Sequence, residues 1–342
     1  MMDKLSLSGF FILFTAVCMV GFLYLNNTEK INSIKQKVLY NYRNTLLNIT
    51  EIATTNTFSL SDYLIHRQYY NRIAFLKTHK TGSSTAQNIF LRYGESRNLT
   101  FLISRQRTGE HDNVISIYET LNENNILPPP PNKTYDILCC HVLYNRNAFY
   151  KYIPSDAAYI AIIREPFEQF LSIVNYFQPT YILDRQSTGI NKVLEYLQDP
   201  WSYEKGLDPR YSLTNNRMAV EFDFPLHLFY NYSEKESMAY IKKLDIEFHV
   251  VIILEHFMES VVLMRRMLGW TTKDILYIQK NSFGEYSFGI DSTHRHLYQR
   301  FASLDYDLYN FFYYRLMKQI QNEGIDFQLE LLQFRYIRQE VE

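Results

Sequence analysis

From residue 71 to the carboxyl terminus, short apolar runs alternate with longer stretches in which apolar residues recur every three or four positions. The runs at residues 73–77 (IAFLK), 99–104 (LTFLIS), 135–142 (YDILCCHV), 158–164 (AYIAIIR) and 249–255 (HVVIILE) are short and rich in apolar side chains, the pattern of buried strands. Helical spacing runs over residues 84–93, 165–177, 190–197, 234–244, 257–268 and 304–320. In the last of these, Leu304, Leu308, Phe312, Leu316 and Ile320 share one face at i+4 intervals. Strands interleaved with helices predict an α/β domain: a central parallel sheet, flanking helices, and ligands at the carboxyl ends of the strands.

Ahead of residue 71 the pattern changes. Residues 5–25 (LSLSGFFILFTAVCMVGFLYL) carry no charge and match the roughly 20 residues that span a bilayer. The stretch exceeds the about 7–15 apolar residues of a signal peptide and stays bulky through Leu25, so we expect an uncleaved transmembrane signal anchor after a short tail at residues 1–4. Residues 26–70 are polar and suit a stem, although residues 31–47 suit a first helix of the domain nearly as well. The domain itself then occupies residues 71–342. Lys4 precedes the span while Lys30, Lys35, Lys37 and Arg43 follow it, a balance that alone would leave the domain cytosolic. Five Asn-x-Ser/Thr sequons, at Asn26, Asn48, Asn98, Asn132 and Asn231, argue weakly for the lumenal side, since roughly three would arise by chance.

Composition narrows the function classes. Lys+Arg 35 against Asp+Glu 36 gives a net charge of −1, which removes the electrostatic case for a nucleic-acid binder. The 46% hydrophobic and 21% charged content is that of a globular chain, and the 16% aromatic content supplies core without specifying chemistry. The cysteines are Cys18, Cys139 and Cys140; the last two are neighbours, so no disulfide scaffold is expected.

The sharpest local signal is KTHKTGSST, residues 77–85, between an apolar strand and a helical pattern. A strand, a turn of small residues with lysine and hydroxyls, and then a helix surround one point with N–H groups, a cation and O–H donors, and that point favours a phosphate-like anion. It is not a Walker A sequence, because Lys80 precedes Gly82. An ordinary helix start, with Ser83 or Ser84 as N-cap, explains the same residues. A second strand ends at Arg164-Glu165-Pro166, with Pro166 suited to a first helical turn and Ser172 about two turns further on. Arginine and serine could share a second phosphate, or form only a surface ion pair and a solvated hydroxyl. Other candidates carry less. Asp305-Tyr306-Asp307 is a DxD, the metal-binding signature of many glycosyltransferases, but falls where a helix begins and acidic residues are expected. His294 and His296 would point apart on a helix, and Arg105 and Arg107 could meet a sugar or only solvent.

Taken together and in this order, KTHKTGSST and the Arg164/Ser172 pair resemble the donor sites of the Golgi galactose 3-O-sulfotransferases. The likeness continues through CCHVLYN, VVIILEHFMESVVLMRRMLGW and LDYDLYNFFYYRLMKQI, covering roughly residues 71–323. The resemblance implies a type II Golgi membrane protein of the P-loop-like sulfotransferase fold, with 3′-phosphoadenylyl sulfate (PAPS) as donor and no catalytic metal. It implies a galactose-terminated glycolipid or glycoprotein glycan as acceptor. It places Lys80 at the oxygen bridging sulfate and phosphate, Thr81, Gly82, Ser83, Ser84 and Thr85 around the 5′-phosphate, and Arg164 with Ser172 at the 3′-phosphate. His141 matches a family histidine and is the candidate base, with His79 or a carboxylate next in line; Cys140 stands where relatives often have another histidine. Rival readings are a uronyl or hexosyl 2-O-sulfotransferase, a DxD glycosyltransferase, and an inactive membrane-anchored glycan-binding protein.

Overall fold

A computed structural model describes residues 69–106, 113–183, 190–278 and 292–341. The expected anchor and nearly all of the expected stem lie outside these residues. Among the described residues no helix is long and apolar enough to cross a membrane.

Five strands form one parallel sheet in the order β2-β3-β1-β4-β5. They are β1 (Ile73–Leu76), β2 (Phe101–Leu102), β3 (Ile137–Leu138), β4 (Ala158–Ile163) and β5 (Val250–Ile253). β1 lies in the middle, with Ile73 opposite Ile137 on one side and Ala158 on the other. Every residue of β1, β4 and β5 is buried. That is why these strands read as continuous apolar runs: helices cover both faces, and no position is left to alternate with water.

All five expected strands are present, but two are much shorter than their apolar runs. Beyond Leu138 the backbone finds other partners. The Cys139 carbonyl accepts from the Gln87 amide at 2.8 Å, and the His141 N–H donates to the Asn113 carbonyl at 2.8 Å. Beyond Leu102, Leu127 N–H donates to Ile103 O and Arg105 N–H to Asn125 O, an antiparallel contact outside the sheet. Cys139 and Cys140 are both buried and form no disulfide.

The helices, numbered along the chain, are α1 (Ser83–Glu95), α2 (Arg146–Tyr152), α3 (Pro166–Phe177), α4 (Ile190–Gln198), α5 (Arg217–Glu221), α6 (Glu234–Glu247), α7 (Phe257–Leu268), α8 (Ser292–Phe301), α9 (Ser303–Asn322) and α10 (Ile325–Val341), with shorter turns between. Pro166 opens α3, and Glu165 caps it by accepting the Glu168 N–H at 2.8 Å. The apolar face of α3 packs with α4 and α8 through Phe167, Phe170, Val193, Tyr196, Tyr298 and Phe301. The expected helices all form; α2, α5, α8 and α10 are additional to them.

Candidate active site

β1 ends at Leu76, so Lys77 begins the loop, not the strand. Its side chain is nonetheless 2% exposed, with Nζ donating to Ser83 Oγ at 3.1 Å and Ser84 Oγ at 3.3 Å. Burial pushes this ammonium down to about 8. Hydroxyls lace the turn together. Thr78 donates to the Ile162 carbonyl on β4, shares a hydrogen bond with Thr81 Oγ1 at 2.9 Å, and its carbonyl accepts from Ser83 Oγ at 2.7 Å.

Gly82, with φ 72, is the N-cap of α1 and supplies no side-chain cap. Neither Ser83 nor Ser84 takes that position: they are the first two residues within the helix, and both hydroxyls accept from the Lys77 ammonium. The leading N–H groups of α1 therefore have neither a capping side chain nor an acidic neighbour in the first turn. An exposed anion is what such a helix end attracts.

Two of the expected site residues meet at this end. Lys80, itself left-handed at φ 57, places Nζ 3.7 Å over the Tyr176 ring, while its carbonyl accepts from Arg164 Nη1 at 3.3 Å. Burial and then the neighbouring Arg164 charge lower the Lys80 pKa. Arg164 also lies 3.9 Å from Glu168. Ser172 is half-buried on α3, roughly 9 Å along the axis from Pro166, and the described hydrogen bonds join it to neither Arg164 nor the loop. Arg295 of α8 had no sequence signal, yet its guanidinium pairs with Glu165 and Glu168, both at 2.7 Å, beside the first turn of α3.

His141 follows β3 and reaches the same place. Its Nδ1 donates to the Lys77 carbonyl at 2.8 Å, which fixes the proton on Nδ1 and leaves Nε2 as the acceptor. Burial, then the His79 and Lys77 charges, hold its pKa well below the usual histidine value. The His141 ring stacks on His79, centroids 4.0 Å apart and planes 23° from parallel. His79 bonds through Nδ1 to Glu221 Oε1, and its backbone N–H donates to Glu221 Oε2 at 2.9 Å. Glu221 is in turn 3.4 Å from Arg217, and both are on α5 and buried. Burial pushes the Glu221 carboxyl up, but the His79 and Arg217 charges and the His79 hydrogen bonds outweigh it and the net shift is downward. Glu221 and Arg217 lie far along the chain in a segment without a motif, so nothing local in the sequence marks them.

His79, His141 and Glu221 offer ligand atoms within 4.8 Å of one another. A cation there would compete with the His79–Glu221 bond and face the charges of Lys77 and Arg217. The donor set therefore suits a proton network better than a metal. The DxD is structural: Asp305 is fully buried and accepts the N–H groups of Ala219 at 2.7 Å and Met218 at 3.2 Å, which anchors α5, while Asp307 accepts from Tyr232. Arg105 donates to the Ile126 and Glu123 carbonyls, and Arg107 lies outside the described residues. His294 and His296 fall on α8.

Residues 16–342 match the profile of a family described as Galactose-3-O-sulfotransferase. The chain is 30% identical to the galactosylceramide sulfotransferase of Homo sapiens over 61% of its length and 48% of that protein's. It is 30% identical to galactose-3-O-sulfotransferase 2 of Mus musculus over 73% of its length and 63% of that protein's. It is also 29% identical to galactose-3-O-sulfotransferase 3 of Mus musculus, over 63% of its length and 49% of that protein's. The chain thus spans about half the length of most of these curated relatives.

Proposed function

Because the chain belongs to the galactose-3-O-sulfotransferase family, we propose that it transfers a sulfuryl group from PAPS to the 3-hydroxyl of a galactose residue on a glycolipid or glycoprotein glycan. The observation that carries this reading is the uncapped start of α1, with Lys77, Lys80 and Arg164 around it and two stacked imidazoles beside it. An anion with several phosphate-like charges fits the first part, and a hydroxyl that must lose a proton fits the second.

In this reading the backbone N–H groups of Gly82, Ser83 and Ser84 hold the 5′-phosphate, and Thr85 adds its side chain, since its N–H donates to the Gly82 carbonyl at 3.0 Å. Thr81 contributes its backbone alone, since its hydroxyl is engaged by Thr78. Arg164 and Ser172 hold the 3′-phosphate. The acceptor oxygen attacks sulfur in line, the bond from sulfur to the bridging oxygen breaks, and adenosine 3′,5′-bisphosphate departs with its growing charge offset by Lys80. The acceptor's proton goes to an imidazole of the stacked pair, the role that the family resemblance implies for His141. Positioning and fixed charge supply most of the acceleration, as in phosphoryl transfer. No step calls for a metal.

Incubation with sulfur-labelled PAPS and a panel of galactosides and uronic-acid polymers, followed by linkage analysis, tests the reading. Label at the galactose 3-position is expected; label on a uronic-acid 2-position, or none on any sugar, would overturn it. We further propose a single-pass type II Golgi protein with its catalytic domain in the lumen. The apolar run at residues 5–25 supports this, and so does the exposure of Asn98, Asn132 and Asn231, the sequons among the described residues. Intact microsomes should protect the domain from protease, with a glycosidase-sensitive mass; digestion without detergent would sink this topology.

A further inference from the structure

Two imidazoles stand at the reacting centre, and both use Nδ1 to hold on to the protein. They differ in what they hold. His141 is tied to a neutral carbonyl, that of Lys77. His79 is tied to a carboxylate, and that carboxylate is held by several donors: Glu221 Oε2 receives the backbone N–H of His79, while Oε1 receives both the His79 ring and the Arg217 guanidinium, the latter at 3.4 Å. Arg217 is 1% exposed, and it also donates to the Ile117, Arg210 and Ser212 carbonyls. Gln169 of α3 fixes the remaining backbone group by donating to the His79 carbonyl at 2.8 Å.

The ring of His79 is therefore set in tautomer and in direction. With Nδ1 committed to Glu221, Nε2 is the nitrogen left to take a proton. An imidazolium formed there would be stabilised by a carboxylate in contact with its other nitrogen, the logic of an acid-histidine pair in acyl transfer. His141 has no carboxylate at its Nδ1, and burial, then the charges of His79, Lys77 and Arg217, disfavour its protonated form.

We infer that His79 is the imidazole that accepts the acceptor hydroxyl's proton, and that Glu221, clamped by Arg217, is the positioning residue that holds it for this step. The inference rests on the sulfuryl-transfer reading above. In the step, the hydroxyl oxygen forms its bond to sulfur and its proton passes to His79 Nε2. The electron pair of the breaking sulfur–oxygen bond leaves with adenosine 3′,5′-bisphosphate. Glu221 takes no proton. It keeps Nδ1–H oriented and balances the charge of the ring, while Arg217 keeps the carboxylate ionised and in place. His141 packs against the face of His79 and limits its rotation.

The test uses the full chain, labelled PAPS and a galactoside acceptor. Glu221→Gln keeps the shape and removes the charge, so kcat should fall by about 100-fold or more, as when an orienting carboxylate is neutralised. Acceptor KM and the calorimetric Kd for adenosine 3′,5′-bisphosphate should stay within about twofold. His79→Ala should lower kcat by about 100- to 10,000-fold, and adding Glu221→Gln to it should cost nothing more, because a residue that acts through His79 has nothing left to orient. Wild-type kcat in Glu221→Gln overturns the inference. So does a double variant whose losses multiply, or a loss of bisphosphate affinity that parallels the loss of turnover. If Glu221→Gln does not fold, His79→Ala and His141→Ala decide: the larger loss of kcat must fall on His79, and a larger loss on His141 overturns the assignment. A wild-type protein that transfers no sulfate to any sugar defeats the transferase reading itself, and this inference with it.

Discussion

At the end of β1 the chain passes from an apolar strand to an ammonium group within one residue, with Leu76 0% and Lys77 2% exposed. Such a charge is tolerated because two hydroxyls and nearby ionisable groups surround it, but its pKa falls to about 8 from the ordinary 10.5. Between those values the unfolded chain binds more protons than the folded one, so Lys77's contribution to stability improves as pH rises from about 8 to about 10.5. A phosphate at the start of α1 would reverse the shift by favouring the charged form. Bisphosphate binding at pH 8.5, about half a unit above the Lys77 pKa, should therefore take up protons, visible as a dependence of calorimetric enthalpy on buffer ionisation. Lys77→Met should abolish that uptake, and an uptake that persists in the variant would place the proton elsewhere. Lys80 and Arg164 should separate differently. Lys80→Ala should lower kcat by roughly 100-fold or more, as for one preorganised electrostatic group. Arg164→Ala should weaken bisphosphate binding by about 1.5–3 kcal/mol, the range of a charge-assisted hydrogen bond. Unchanged calorimetric affinity in a folded Arg164 variant would remove it from the donor site.

Among the elements, the turn into α1 depends on one glycine. Gly82 has φ 72, and a Cβ added there would lie 2.5 Å from Leu254 Cδ1. Gly82→Ala therefore meets both a backbone penalty of about 1–2 kcal/mol and a contact that Leu254 must yield to. A fall in melting temperature of roughly 2–8 °C is expected for a domain of this size, with weakened bisphosphate binding. Wild-type melting and binding together would show that the left-handed turn is dispensable. The turn was legible in sequence as a strand, a small-residue loop and a helix; which residue caps the helix was not, because that depends on the left-handed backbone at Gly82. Strands and most helices were legible for a simple reason: burial on both faces writes an unbroken apolar run, and burial on one face writes a 3.6-residue rhythm. Helix α10 escaped because Ile325, Phe327, Leu329 and Leu331 alternate like a strand, while the buried positions Phe327, Leu331 and Phe334 follow helical spacing.

Across the whole molecule, the carboxyl-terminal helix is tied down by two neighbouring arginines of α7, of which Arg265 pairs with Glu330. Arg266 of α7 is 5% exposed and pairs with Glu323 at 2.7 Å, Asp326 at 2.8 Å and Glu330 at 2.7 Å. Removing one partner of a fully buried pair costs about 3–5 kcal/mol; these carboxylates keep some water, so Arg266→Met should cost roughly 2–3 kcal/mol. The urea midpoint should drop and limited proteolysis should release residues 325–341; an unchanged midpoint and cleavage pattern would mean that the Arg265–Glu330 pair and apolar packing hold α10 without Arg266. At this scale sequence is least informative. It marked the pieces of the sheet but not the order that puts β1 between β3 and β4, and so not the meeting of His79, His141 and Arg164. Least visible was Glu221, 142 residues from the histidine it holds. That separation also has a cost in time. A ribosome adding about 5–20 residues per second needs roughly 7–28 s to pass from His79 to Glu221. Throughout that interval the nascent loop carries its lysines and histidine without the carboxylate that will balance them. Folding of this centre must then wait until elongation has passed Glu221, a delay set by the spacing of a single hydrogen bond.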